Sequence, residues 1–106
     1  MKRAVYPAAF LALCVAACDV RAQSAGDPKA GSMLARQVCS VCHATQRGQV
    51  RSPNPRAPTF VELAASPGMT SAALLVALTT PHAGMPMFRL STEERDDVIA
   101  YILSLH

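Results

Sequence analysis

Cys39-Ser40-Val41-Cys42-His43 decides how this chain is read. Its form is C-x-x-C-H, the attachment signature of c-type haem. Two thiols three positions apart share one face of a helical turn, and each can add across one haem vinyl group. The following residue, His43, brings an imidazole to the iron from the proximal side. Three plainer readings account for less of the chain. A structural zinc site takes four ligands, usually as two separated pairs. Beyond the motif, residues 23–106 contain no Cys and only His82 and His106. A thioredoxin-like pair sits in a strand–helix unit, whereas the flanks here read as helix and Pro-rich loop. A disulfide within the motif would leave His43 without a role.

Upstream of the motif the chain opens with an export leader. Met1-Lys2-Arg3 is a basic start, Ala4 to Ala17 is apolar apart from Pro7, and Val20-Arg21-Ala22 resembles an A-x-A cleavage site. The expected division is a signal peptide over residues 1–22 and a mature domain over 23–106. A second reading takes Val15-Ala16-Ala17-Cys18 as a lipobox, with a lipoprotein signal over 1–17 and Cys18 lipidated. The apolar stretch is short for a membrane span, although an uncleaved anchor is a third route. All three carry the protein across the inner membrane, with membrane attachment only through the leader. A periplasmic location agrees with haem c, which bacteria attach outside the cytoplasm.

The full chain has 106 residues and a formal net charge of +3. Without Lys2, Arg3, Arg21 and Asp19, seven bases face six acids, for a net +1. There is no basic run with interleaved aromatics, so no nucleic-acid partner is expected. A domain this small has a thin core. One covalently held haem would supply the large apolar body that short helices can pack around.

The expected elements follow in order. Asp27 and Pro28 start a helix reaching about Cys39, with Gly31 and Ala35 on one face. A Gly inside a helix costs about 1 kcal/mol relative to Ala, and a close backbone crossing is the expected compensation. Gly48, Ser52, Pro53, Asn54, Pro55 and Pro58 then exclude a helix and form a wrapping loop. Within it Arg51 and Arg56 are candidate contacts for haem propionates, since Arg forks onto carboxylates; solvated loop charge is the plainer alternative. One of the Pro53, Pro55 or Pro58 carbonyls is expected to accept the second ring N–H of His43. Thr59 caps a short helix to Ala65, with Phe60 and Leu63 inward. Thr70 or Ser71 caps another over Ala72 to Leu78, with Leu74, Leu75 and Leu78 as its apolar stripe. Met33 and Met69 are expected to fill core gaps.

Pro81 ends that helix. His82, Met85 and Met87 then offer three candidates for a second iron ligand. Met85 stands between Gly84, which permits a tight turn, and Pro86, which stiffens the exit. A thioether favours Fe(II) and raises the potential. Ser91 and Glu94 form a capping box. Val98, Tyr101, Ile102 and Leu105 recur at i, i+3, i+4 and i+7, an amphipathic helix whose apolar side suits the Gly31/Ala35 face. No alternating β pattern appears.

Taken together these residues resemble the small bacterial class I monohaem c-type cytochromes. The likeness spans the whole mature chain. It rests on Gly31 in a first helix, the Cys39-to-His43 motif, the Pro-rich loop, Met85-Pro86, and Leu90-Ser91 leading to Ile99-Ala100-Tyr101-Ile102-Leu103. The resemblance implies an all-α fold in which N- and C-terminal helices cross near Gly31 and Tyr101, with short middle helices around one covalent haem. It implies His43 and Met85 as axial ligands, with one haem edge exposed. Family members often carry an aromatic four residues before the first Cys; Ala35 stands there. With no Trp in the chain, propionate contact would fall to Arg51, Asn54, Arg56 or backbone.

The expected function is a periplasmic single-electron carrier that is not itself an enzyme. Its partners would be redox proteins: a donor dehydrogenase, and an acceptor oxidase or cytochrome. Ser52-Pro53-Asn54-Pro55 looks like a stretch in short cytochromes encoded beside dehydrogenases, so an electron-transfer subunit of a periplasmic oxidoreductase is the first alternative. A gas-binding or peroxidatic protein is the second. It would need an open distal site with His82 as acid–base group.

Overall fold

The structure, a computed structural model, describes residues 25–106. The expected signal peptide, its cut after Ala22 and the alternative lipidation at Cys18 lie outside the described residues. Among those residues there are four α-helices and no strand. None of the helices is long and apolar enough to cross a membrane.

Helix α1 spans Pro28–Val38. Asp27 caps it, its carboxylate accepting from the Lys29 N–H at 2.9 Å, and Pro28 takes the first turn, where no N–H is needed. A single 3-10 turn, Cys39–Val41, continues it. The expected helix to Cys39 therefore tightens at the motif itself. Helix α2 is Phe60–Ala65. Thr59 caps it in a reciprocal box with Glu62, a pair the sequence reading saw only in part. Helix α3 is Ser71–Thr79, and Thr70, not Ser71, caps it. Helix α4 is Thr92–Ser104, opened by the Ser91/Glu94 box.

The core forms where α1, α2 and α3 meet α4. Ala35, Phe60, Ala64, Leu74, Val98, Ile99, Ile102 and Leu105 are its buried members. The apolar face of α4 is wider than its i, i+3, i+4 spacing suggests, since Ile99 and Ala100 are buried as well. Two side chains depart from expectation. Leu75 is 40% exposed, because a 100° step from the buried Leu74 turns it away from α4. Met33 is 56% exposed, because it lies on α1 away from the Gly31/Ala35 face, and so it fills no gap.

Helices α1 and α4 cross at Gly31. A Cβ placed there would collide with the Asp97 carbonyl and lie 2.9 Å from Tyr101 Cβ. Only Gly permits this approach, so its propensity cost purchases the crossing. Asp97 also accepts from the Asp27 N–H at 2.7 Å, which ties the start of α1 to α4. This all-α arrangement, with its first and last helices crossing at Gly31, is the one the sequence resemblance implies.

Gly31→Val is expected to destabilise the haem-loaded protein by about 3 kcal/mol or more, because a backbone carbonyl cannot move aside as a side chain can. Met33→Ala, on the exposed side of the same helix, is expected to change stability by no more than about 0.5 kcal/mol. Denaturant titration of the two variants measures both, and equal midpoints would remove the crossing argument.

Candidate haem site

The end of α1 and the turn after it carry the motif. Backbone bonds from Cys42 N–H (3.1 Å) and His43 N–H (2.9 Å) both end on the Cys39 carbonyl. They close the turn that sets Cys39 and Cys42 side by side and points His43 outward from it. Both cysteines are half-buried and unpaired. Burial pushes the Cys39 thiol up to about 11. A redox-active C-x-x-C needs the opposite shift at its attacking thiol, and among the described residues no strand–helix unit of the thioredoxin kind surrounds the motif. Among the described residues no three His, Cys, Asp or Glu side chains gather as a metal-binding cluster, which leaves the motif without the partners a zinc site requires.

The Pro-rich loop, residues 44–59, wraps back over the motif through named bonds. Ala44 N–H donates to Ser52 Oγ at 3.0 Å, Asn54 N–H to the Cys42 carbonyl at 3.1 Å, and Phe60 N–H to the Ala44 carbonyl at 2.9 Å. Gln49 Oε1 accepts from the Thr45 and Gln46 N–H groups, both at 3.0 Å. The loop so placed brings the Pro58 carbonyl 2.7 Å from His43 Nδ1. Of the three proline carbonyls considered, Pro58 is the one that meets the ring. A carbonyl only accepts, so Nδ1 carries the proton and Nε2 is left to bind metal. The Phe60 ring, 5.4 Å from the imidazole centroid to centroid, packs against His43. Tyr101 lies 6.3 Å beyond Phe60, and its hydroxyl donates to the buried Thr45 carbonyl at 2.6 Å. Arg47 donates to the Ser104 carbonyl at 2.8 Å, closing the end of α4.

A second segment completes the site. His82 to Met85 forms a reverse turn in which Met85 N–H donates to the His82 carbonyl at 3.3 Å. Gly84 has φ +81°, the sign that a type II turn requires at its third position. Met85 is half-buried, while Met87 is 50% exposed. His82 Nδ1 lies 3.1 Å from the Thr80 carbonyl, and its Nε2 lies 3.1 Å from Met85 Sδ.

Between the two segments is a cavity of about 640 Å³. Cys39, Cys42 and His43 line it from one part of the chain, and His82, Met85 and Pro86 from the other. Val38, Val41, Ala57 and Phe88 add apolar wall. None of these four stood out in sequence, although Phe88 follows Met85-Pro86 closely enough to be suspected. Arg56 and Asn54 also line the cavity; Arg51 is exposed and does not, and neither does Met87. This donor set fits a haem. Two adjacent thiols can hold it, an oriented imidazole and a thioether can bind its iron, apolar walls suit the macrocycle, and Arg56 suits a carboxylate.

Comparison with known proteins gave two findings. Residues 26–102 match the family described as "Cytochrome C oxidase, cbb3-type, subunit III". The chain is also 38% identical over 95 residues to "Cytochrome c-552" of Bradyrhizobium diazoefficiens, covering 90% of this chain and 89% of that protein. No solved structure matched significantly.

Tyr101→Phe leaves the buried Thr45 carbonyl without its donor. The expected cost is about 1–3 kcal/mol, read as a lower denaturant midpoint at unchanged slope. An unchanged midpoint would show that this bond does not hold the motif-bearing loop to α4.

Proposed function

The chain belongs to the c-type cytochromes, and from that membership we propose a periplasmic single-electron carrier holding one haem through Cys39 and Cys42, with His43 and Met85 as axial ligands. Transfer of electrons by haem c is the family's business; the residue roles, the single haem and the compartment are our reading. The observation that carries it is the cavity itself, which gathers both thiols, an imidazole with bare Nε2 and a thioether from two distant parts of the chain. When bound, the haem supplies one-electron exchange between Fe(II) and Fe(III).

The protein's own residues set the terms of that exchange. Pro58 and Phe60 hold the His43 ring in one plane and one tautomer. The Gly84 turn presents Met85, whose thioether favours the ferrous state. Two donors held by the fold would leave little to reorganise on transfer. The apolar walls would keep water from the centre, and in this reading Arg56, which lines the cavity, meets a propionate, whereas Arg51 does not line it. Exposed Val41 and Phe88 at the cavity supply apolar surface where a redox partner can approach.

A fixed electron-transfer subunit of an oxidoreductase is the second reading. The description of the matched family, an oxidase subunit, favours it. The near-equal length of the relative named simply as a cytochrome favours the free carrier. Isolation in tight association with a larger enzyme would decide for the subunit.

Absorption spectra of the exported, haem-loaded protein test the ligand assignment. Sharp α and β bands on reduction, a weak far-red band on oxidation and no response to CO are expected. A rapid CO shift without the far-red band would sink the Met85 assignment and point to ligand-binding or peroxidatic chemistry.

The attachment is tested separately. Cys39→Ser and Cys42→Ser are each expected to retain haem through one thioether, with the α band moved to longer wavelength by the vinyl group left conjugated. The double variant should release haem to acid–acetone. Covalent haem surviving in the double variant would overturn the assignment of both thiols.

A further inference from the structure

His82 repeats the local geometry of His43. In each residue Nδ1 faces a backbone carbonyl, Pro58 at 2.7 Å for His43 and Thr80 at 3.1 Å for His82. In each, the carbonyl can only accept, so it takes the Nδ1–H and leaves Nε2 as the ring atom turned towards a metal. That is the tautomer and the backbone partner that metal-binding histidines use. Nε2 of His82 then lies 3.1 Å from Met85 Sδ. Both residues line the cavity, so a nitrogen donor and a sulfur donor stand side by side at its edge. They sit at the two ends of one four-residue turn hinged on Gly84, so changing which atom leads requires movement only within that turn. Met85 is half-buried and His82 exposed, which makes the sulfur the seated donor and the imidazole the one held behind it.

We propose that His82 is a reserve ligand for the distal iron position, its Nε2 taking that position whenever the Met85 sulfur leaves. The proposal rests on Met85 being the resident ligand. The exchange breaks one iron–sulfur bond, forms one iron–nitrogen bond and moves neither electron nor proton. Imidazole is a harder donor than thioether, so the exchange favours the oxidised protein.

The test uses haem-loaded wild type and the Met85→Ala, His82→Ala and Met85→Ala/His82→Ala variants. Ferric absorption and electron paramagnetic resonance are the readouts. Met85→Ala is expected to lose the far-red band yet stay six-coordinate and low-spin; the double variant is expected to turn high-spin and bind CO rapidly when reduced. Met85→Ala already high-spin, like the double variant, would overturn the proposal and leave Met85 as ligand. A far-red band persisting in Met85→Ala would assign Met87 and overturn it too. A wild type without that band, unchanged in Met85→Ala and turned high-spin by His82→Ala, would overturn the resident-ligand reading itself. Should Met85→Ala not assemble, warming ferric wild type and His82→Ala supplies the same decision. Wild type is expected to lose the far-red band while low-spin, and His82→Ala to pass straight to high spin; identical behaviour would overturn the proposal.

Discussion

Helices α1 and α4 touch backbone to backbone at Gly31, and the remaining elements take their places from that contact. With no Cβ at Gly31, α1 lies against the Asp97 carbonyl and the Tyr101 stem. Ala35, one turn later, is fully buried. The small residues fix the separation of the two helices. That separation determines where the turn at Cys39 leaves α1, and so where both thiols and His43 stand. The opposite end of α4 receives Arg47 and the Tyr101–Thr45 bond, so the same helix anchors the segment just after the motif.

The site is then assembled largely by the main chain. Turn carbonyls and N–H groups place the motif, the Pro58 carbonyl sets the His43 tautomer, and the Thr80 carbonyl does the same for His82. Proline density serves this end. A loop barred from helix and poor in N–H donors leaves carbonyls free to point inward. Side-chain polar groups appear mainly as loop fasteners, as with Ser52, Gln49 and Asn54. Such a site tolerates exchange of surface residues, provided the loop keeps its path.

Much of this was legible in sequence because the signals were local. Asp27-Pro28, Thr59 and Ser91 with Glu94 announced helix starts by chemistry that acts within three residues. The C-x-x-C-H spacing is a property of five consecutive residues. Gly31 in a helix interior could be read as a crossing because its cost demands a compensation. What could not be read depended on distant pairing. Which proline carbonyl meets His43 is set by how the loop folds over Cys42 and Ala44. The departure of Arg51 from the cavity while Arg56 lines it follows from the same loop path. The contact between His82 and Met85 is local in spacing, yet it depends on the Gly84 turn folding both side chains to one side, which composition does not specify. The outward placement of Leu75 and Met33 reflects helices that pack on one neighbour only.

The ties between α4 and the first half of the chain also bear on how the domain forms. Asp27 meets Asp97 across 70 positions, Thr45 meets Tyr101 across 56, and Arg47 meets Ser104 across 57. Closing a loop of that length costs about 4 kcal/mol in chain entropy before any contact repays it. Helical proteins owe fast folding to contacts between near neighbours, and this one places its decisive contacts between its two ends. Its rate-limiting event should therefore be the meeting of α1 with α4, the middle segments following. The domain is a clasp that gains little from being half shut.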